Sequence, residues 1–242
     1  MLDEKYELIK REMRFKSNKD SYVREPLFVR RDPYRYRNTR TMKNKFGLKD
    51  KVLVLEMEAN YTSMRLREIA LNPIAGTFDF DHFCKTHAYI FQDIYDWAGQ
   101  PRTIDMRKRE PRLENKSIEY APFPEIRRLA TDAIQYMRDI DWLSLPVDDQ
   151  AKALSYCFAS LWQVHTFREG NTRTVVQFCS QYADSVGLFL DRTCYLRQDC
   201  TFRDAFVHAS AVLLEYGDNS EWEILHGLMR GALTGGQSPE VT

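Results

Sequence analysis

An all-α fold interrupted by one short β-hairpin is what the sequence predicts, on three observations. Apolar residues recur at steps of three and four in seven segments after residue 50. One stretch between them, RTIDMRKREPRLENKSIEYAPF, carries no such stripe and ends among prolines, which suits a strand or hairpin rather than a helix. Turn-forming residues gather between the periodic segments and rarely inside them.

The elements follow in order. Leu8, Ile9 and Met13 sit at helical spacing among charges, predicting a short amphipathic arm helix over 3–15. From Asn18 to Asp50 the chain is polar and aromatic, with Pro26, Pro33 and Gly47, and reads as an extended wrapping segment. Residues 50–71 carry Leu53, Leu55, Met57, Met64, Leu66 and Ile69 and close at Asn72-Pro73, predicting a helix. Phe83, His87, Ile90, Phe91, Ile94 and Trp97 predict the next, capped by Asp79 or Asp81 and stopped by Gly99. Beyond the hairpin, helices are expected over 124–142 and 147–164, then along Val175, Phe178, Cys179, Tyr182 and Val186, and over 201–216 and 220–233. The terminal TGGQSPEVT reads as a disordered tail.

The chain has 242 residues with 14 Phe, 13 Tyr and 4 Trp, enough for one sizeable domain and an additional segment. It lacks an apolar run of the ~20 residues a membrane helix requires, and its first residues are charged throughout. A soluble protein without a signal peptide is expected. Five cysteines, Cys84, Cys157, Cys179, Cys194 and Cys200, form no CxxC, so reduced thiols and a cytoplasmic location are expected. Net charge is zero but uneven: residues 1–50 hold 15 Lys+Arg against 8 Asp+Glu, and the rest of the chain 20 against 27. A solvated basic N-terminus accounts for this, and neither nucleic acid nor membrane is expected as a partner. Walker-type and GxGxxG phosphate loops and metal-spaced Cys/His sets are absent from the sequence.

One decapeptide stands apart. HTFREGNTRT, His165 to Thr174, lies between two helical stripes, yet most of its residues weaken a helix. A loop there delivers its side chains to the N-terminus of the second helix, where unpaired amides and the dipole favour an anion. Gly170 lets successive amides converge on a phosphate. Glu169 is an oxygen ligand of the kind Mg²⁺ takes beside phosphates. Arg173, in the first turn, opposes the dipole unless an anion is bound. His165 is placed to take a proton from a hydroxyl, a role worth ~10²–10⁴ in rate. Phe167 points inward as an anchor. His82, His87, His208 and His226 read as structural, Trp97 as packing, and the RKRE run at 107–110 as a solvated hairpin tip.

HTFREGNTRT resembles the signature of the Fic family, His-Pro-Phe-x-Asp/Glu-Gly-Asn-Gly-Arg-x-x-Arg. FQDIYDWAGQPRTIDM resembles the segment leading into that family's target-positioning flap, and YRYRNTRTMKNKFG at 34–47 its lead-in, so the resemblance covers roughly residues 34 to 200. It implies a Fic-type helical bundle with one hairpin flap: a basic arm at 1–33, a Fic domain at 34–200 with its core at about 78–195, C-terminal helices at 201–233 packed on it, and a tail at 234–242. It implies a protein adenylyltransferase that uses ATP and Mg²⁺ and moves AMP to a Ser, Thr or Tyr hydroxyl of a target protein, releasing pyrophosphate. His165 would be the general base and Glu169 the Mg²⁺ ligand. The Gly170–Thr172 amides with Asn171 would cradle the phosphates, and Arg173 would neutralise the β-phosphate. Thr103, Ile104, Asp105 and Met106 would form the flap, pairing with an extended target by strand addition.

Three positions depart from that pattern. Thr166 replaces Pro, and Thr172 replaces the second Gly, where its side chain is expected to cap the following helix. Val176 replaces the last Arg, which in the family contacts the γ-phosphate and pairs with an inhibitory glutamate. The nearest match to that inhibitory pattern, Ser21 to Glu25, is followed by Pro26, so inhibition through a salt bridge at 176 is not expected. The alternatives are a transferase with another donor, moving UMP, GMP or phosphate, and a weakened nucleotide-binding or toxin-partner module. Further partner classes are a second copy of the chain and an antitoxin-like regulator; secretion as an effector is compatible with the family.

Overall fold

The computed structural model describes residues 32–192, 202–213 and 216–235. The arm helix over 3–15, the wrapping segment before residue 32, the Ser21–Glu25 match, Cys194, Cys200 and residues 236–242 of the tail lie outside them.

The described residues form seven helices and two small antiparallel hairpins. Helix α1 (Lys51–Leu71) starts where the Asp50 carboxylate accepts the amides of Val52 and Leu53, and ends at Asn72 before Pro73. Its buried face is Val54, Glu58, Thr62 and Ile69, whereas Leu53, Leu55 and Met64 are exposed. Of the expected stripe, Ile69 is fully buried and Met57 and Leu66 are half-buried, while Val54, Glu58 and Thr62 complete the buried face. Helix α2 (Phe80–Phe91) is capped by Asp79, which accepts the His82 amide at 2.8 Å.

Helix α2 stops at Phe91, eight residues short of the expected Gly99, because residues 92–99 fold back in successive turns. The amides of both Ile94 and Tyr95 bond to Phe91 O. Gly99, at φ +81°, lies so close to α2 that a Cβ there would be 2.7 Å from the Ala88 methyl.

Strands β1 (Arg109–Glu110) and β2 (Lys116–Ser117) make the expected hairpin. Its tip is 111–115, not the expected 107–110, and Glu110 within that run is fully buried. Helix α3 (Ile126–Arg138) is shorter than expected and is followed by a separate turn at Trp142–Ser144. Helix α4 (Val147–Val164) matches expectation and is buried on nearly every face from Ala151 onward. Around it pack α3, α5 (Asn171–Ser185), α6 (Phe202–Ala209) and α7 (Glu223–Leu233).

The helix expected over 201–216 ends at Ala209 and gives way to a second hairpin, β3 (Val212–Leu213) with β4 (Gly217–Asp218). Leu213 bridges Ile118 and the Glu119 amide donates to Val212 O, so pairing with the first hairpin takes the chain out of helix. One large core joins Phe83, Phe158, Phe167, Phe178, Phe206 and Trp162, each such burial contributing about 1.5–3 kcal/mol. A smaller one gathers Tyr34, Ile69, Ile90, Phe91, Ile94, Tyr95 and Trp97. The decapeptide loop lies against both: Phe167 in the first, Gly170 against Phe91 of the second.

Candidate active site

Helix α4 ends on His165, whose backbone is left-handed at φ 52°, ψ 56°, and whose amide bonds to Trp162 O at 3.0 Å. Helix α5 begins at Asn171, preceded by Gly170 at φ 83°. A Cβ at Gly170 would overlap the Phe91 ring, so both space and backbone require glycine there. The Thr174 amide is the first to bond back, to Gly170 O, which leaves the amides of 171–173 without partners inside the helix. These are the groups an anion would meet.

Four side chains hold the loop in this shape. The Asn171 amide closes it from within, accepting Phe167 N at 2.9 Å and donating to Phe167 O at 2.8 Å. Its side chain is thus a staple, and only its backbone faces the cradle role expected of it. Arg168 pairs with Asp32 at 2.5 Å. Arg102, fully buried, donates to the carbonyls of His165 (2.7 Å), Ile104 (2.7 Å), Val164 (3.4 Å) and Ala121. Desolvation pushes its guanidinium down to about 10. His87 accepts the Gly99 amide at Nδ1 and faces Glu169 O with Nε2 at 3.1 Å, so the proton lies on Nε2. It stacks on Phe167 at 3.8 Å, and burial pushes its pKa down to about 3.

His165 is buried, stacked on Tyr120 at 4.1 Å and edge-on to Trp162 at 5.5 Å. Its Nδ1 has no hydrogen-bond partner among the described residues. Desolvation first, then the charges of Lys108 and Arg102, hold its pKa well below the usual histidine value. The imidazole is therefore neutral at neutral pH, the form a general base needs.

The remaining expected residues fall as follows. Glu169 is half-buried, accepts the Gly170 amide at 3.3 Å and pairs with no cation among the described residues. Thr172 does not cap α5; its Oγ1 accepts the Trp162 indole N–H at 2.9 Å. Arg173 donates to Glu58 at 2.5 Å and Thr62 at 3.0 Å, with its guanidinium 4.7 Å over the Phe91 ring. Val176 packs against the apolar core. In the segment expected to form the flap, the Thr103 amide donates to Tyr34 Oη at 3.0 Å, and Asp105 accepts the Phe123 amide at 2.8 Å. Asp105 and Met106 line a cleft of about 420 Å³ that Tyr120 also borders, and Ile104 is held through its carbonyl by Arg102. His82 accepts the Phe78 amide, and Trp97 stacks on Tyr95, so both serve packing as expected.

Sequence reasoning missed Asp32, Glu58, Tyr95, Arg102, Tyr120 and Trp162 as site residues. Only Glu58 carried a usable signal, an acid placed four residues from Val54 and from Thr62 on one helical face. Its Oε2 accepts the Tyr95 hydroxyl. Cys84, Cys157 and Cys179 are free thiols, and among the described residues no helix is long and apolar enough to cross a membrane.

The Fic/DOC family model matches residues 77–183. The chain is 30% identical over 204 residues to "Protein adenylyltransferase VbhT" of Bartonella schoenbuchensis, covering 84% of this chain and 39% of that protein's length. It is 31% identical over 165 residues to "Probable protein adenylyltransferase y4lH" of Sinorhizobium fredii, covering 67% of this chain and 80% of that one. A solved N-terminal Fic domain of a VirB-translocated Bep effector from Bartonella quintana, with bound ADP, superposes with a TM-score of 0.68 at 25% identity, over 82% of this chain and 93% of that one.

Proposed function

The chain belongs to the Fic/DOC family, and on that premise we propose that it is a protein adenylyltransferase acting on a Ser, Thr or Tyr hydroxyl with ATP as AMP donor. The observation that carries this is His165, a buried neutral imidazole at the end of α4, on the loop that leads into the unpaired amides of α5. His165 takes the proton of the target hydroxyl as its oxygen bonds to the α-phosphorus. The bond from that phosphorus to the β-phosphate oxygen breaks, and pyrophosphate leaves. The amides of 171–173 hold phosphate oxygens, and Arg173 supplies positive charge, in keeping with phosphoryl chemistry resting on position and electrostatics.

Glu169 fits Mg²⁺, which takes one or two carboxylates beside nucleotide phosphates. The ion would neutralise phosphate charge there. Residues 103–106 would present the target, with 34–200 as the catalytic unit, 201–233 as part of its packing, and the cytoplasm as its location. ADP in the Bartonella quintana domain supports a nucleotide at this site.

A second reading, another nucleotide donor, is favoured by Val176 lying in apolar contact and by Arg173 being engaged with Glu58. Incubation of the full chain with α-labelled ATP, Mg²⁺ and cell lysate tests both. A labelled protein band that vanishes with His165→Ala supports the proposal, and label that survives the substitution overturns it. Mass spectrometry of the modified protein separates AMP from UMP, GMP or phosphate.

A further inference from the structure

Thr172 stands where the Fic signature has glycine, and its hydroxyl is engaged away from the helix it was expected to cap. Trp162 is almost wholly buried, so its indole N–H needs an acceptor; leaving one unmet costs about 1–3 kcal/mol. Thr172 Oγ1 is that acceptor, at 2.9 Å. A glycine at 172 offers no side-chain oxygen, so the bond ties the last turn of α4 directly to the first turn of α5.

The same indole faces the base. Trp162 meets the His165 ring edge-on at 5.5 Å and 89°, while Tyr120 stacks on the imidazole at 4.1 Å and 27°. The Trp162 carbonyl also receives the His165 amide. No side chain among the described residues hydrogen-bonds Nδ1 of His165, so the ring is flanked by the Tyr120 and Trp162 rings, with the Trp162 backbone acting on it as well. Tyr120 is steadied on its far side by Glu110, its hydroxyl 3.4 Å from that carboxylate, and Glu110 pairs with Arg203 at 2.5 Å. Trp162 is steadied by Thr172 and by stacking on Phe206.

We propose that Thr172 is a positioning residue for the general base: through the Trp162 indole it fixes the orientation of the His165 ring, and it does so from the helix that binds the phosphates. The inference rests on the adenylyl-transfer reading for its kinetic consequence but not for its geometric one. Small displacements of a reacting group cost up to ~10² in rate, so the effect belongs on turnover rather than on nucleotide binding.

The test uses the full chain with Thr172→Val, Thr172→Ser, Trp162→Phe and the Thr172→Val/Trp162→Phe double variant. Calorimetry with a non-hydrolysable ATP analogue and Mg²⁺ reads binding, α-label transfer reads rate, and NMR of ring-labelled histidine, with His165→Ala for assignment, reads the imidazole itself. Thr172→Val and Trp162→Phe are each expected to shift the His165 ring resonances and to lower the transfer rate about tenfold, with nucleotide Kd changed less than about twofold. Thr172→Ser, which restores the hydroxyl, is expected to recover most of the resonance shift and of the rate lost in Thr172→Val, and the double variant is no slower than either single one, as expected for one shared interaction. His165 resonances unmoved in a folded Thr172→Val overturn the proposal. So does a tenfold weaker Kd at unchanged rate, which makes Thr172 a phosphate ligand. If the wild type transfers no label, the adenylyl-transfer reading fails by itself, and the histidine spectra still decide whether Thr172 orients the ring.

Discussion

Arg173 of α5 and Glu58 of α1 lie 2.5 Å apart, with the Glu58 side chain only 6% exposed and the arginine 31% exposed. The carboxylate also receives the Tyr95 hydroxyl, so the arginine expected to meet a phosphate is matched by a fixed negative charge. On the proposed adenylyl-transfer reading, a nucleotide would compete with Glu58 for the guanidinium. Glu58→Gln keeps an acceptor for Tyr95 and removes the charge. It is expected to tighten ADP·Mg²⁺ binding about three- to tenfold by calorimetry, while lowering stability by about 1–3 kcal/mol in urea. Binding that weakens instead would mean Glu58 aims Arg173 at the ligand.

Gly170 meets two constraints at once, a φ of +83° and the Phe91 ring where a Cβ would stand. Gly170→Ala adds about 1–2 kcal/mol for the left-handed backbone and a further cost for displacing Phe91. A loss above about 2 kcal/mol in urea unfolding is expected, together with loss of label transfer. Combining it with Phe91→Ala, compared with Phe91→Ala alone, leaves only the backbone part. An Ala at 170 that costs nothing would show that the loop has another conformation.

Arg102 joins the carbonyls of His165, Ile104 and Ala121, so one guanidinium spans the end of α4, the 103–106 segment and the coil leading to α3. Lysine carries the charge but not the planar set of five donors. Arg102→Lys is expected to destabilise the chain by about 2–4 kcal/mol and to speed proteolysis near residues 103–110. Unchanged stability and digestion would mean those carbonyls find other donors.

What the sequence discloses and what it hides divide along physical lines. Helix α4 is legible to the residue because it is framed by Pro146 and the decapeptide and is largely apolar from Ala153 onward. The α2 end was misread because Ile94 and Trp97 continue the helical period by chance; both are buried, but from turns that close on α2 through His87 and Gly99. On α1 the buried face is partly polar, and Glu58 and Thr62 are satisfied by Arg173, more than a hundred residues away. The β3–β4 hairpin depends on Ile118 in the same manner. Among site residues, the decapeptide was visible as a motif, but the groups holding it, Asp32, His87, Arg102 and Trp162, act through folded-state contacts that no local spacing encodes.

His87 gives the loop a dependence on pH. Its native pKa of about 3 lies below the unfolded value of about 6.5, because burial disfavours the imidazolium. Between those values the unfolded chain binds a proton that the native chain does not, so stability is full above about pH 6.5 and falls as pH drops toward 3. The slope approaches 1.4 kcal/mol per pH unit for this one group. His165 and His82, also depressed by burial, add in the same direction. Glutamine at 87 offers an acceptor for the Gly99 amide and a donor for Glu169 O but does not titrate. Urea unfolding of wild type and His87→Gln between pH 4.5 and 6.5 is therefore expected to show a shallower acid-side decline in the variant, by up to about 1.4 kcal/mol per pH unit, beside a constant offset from lost stacking on Phe167. Parallel curves would mean that His87 is protonated in the native chain, and with it that Nδ1 does not accept the Gly99 amide.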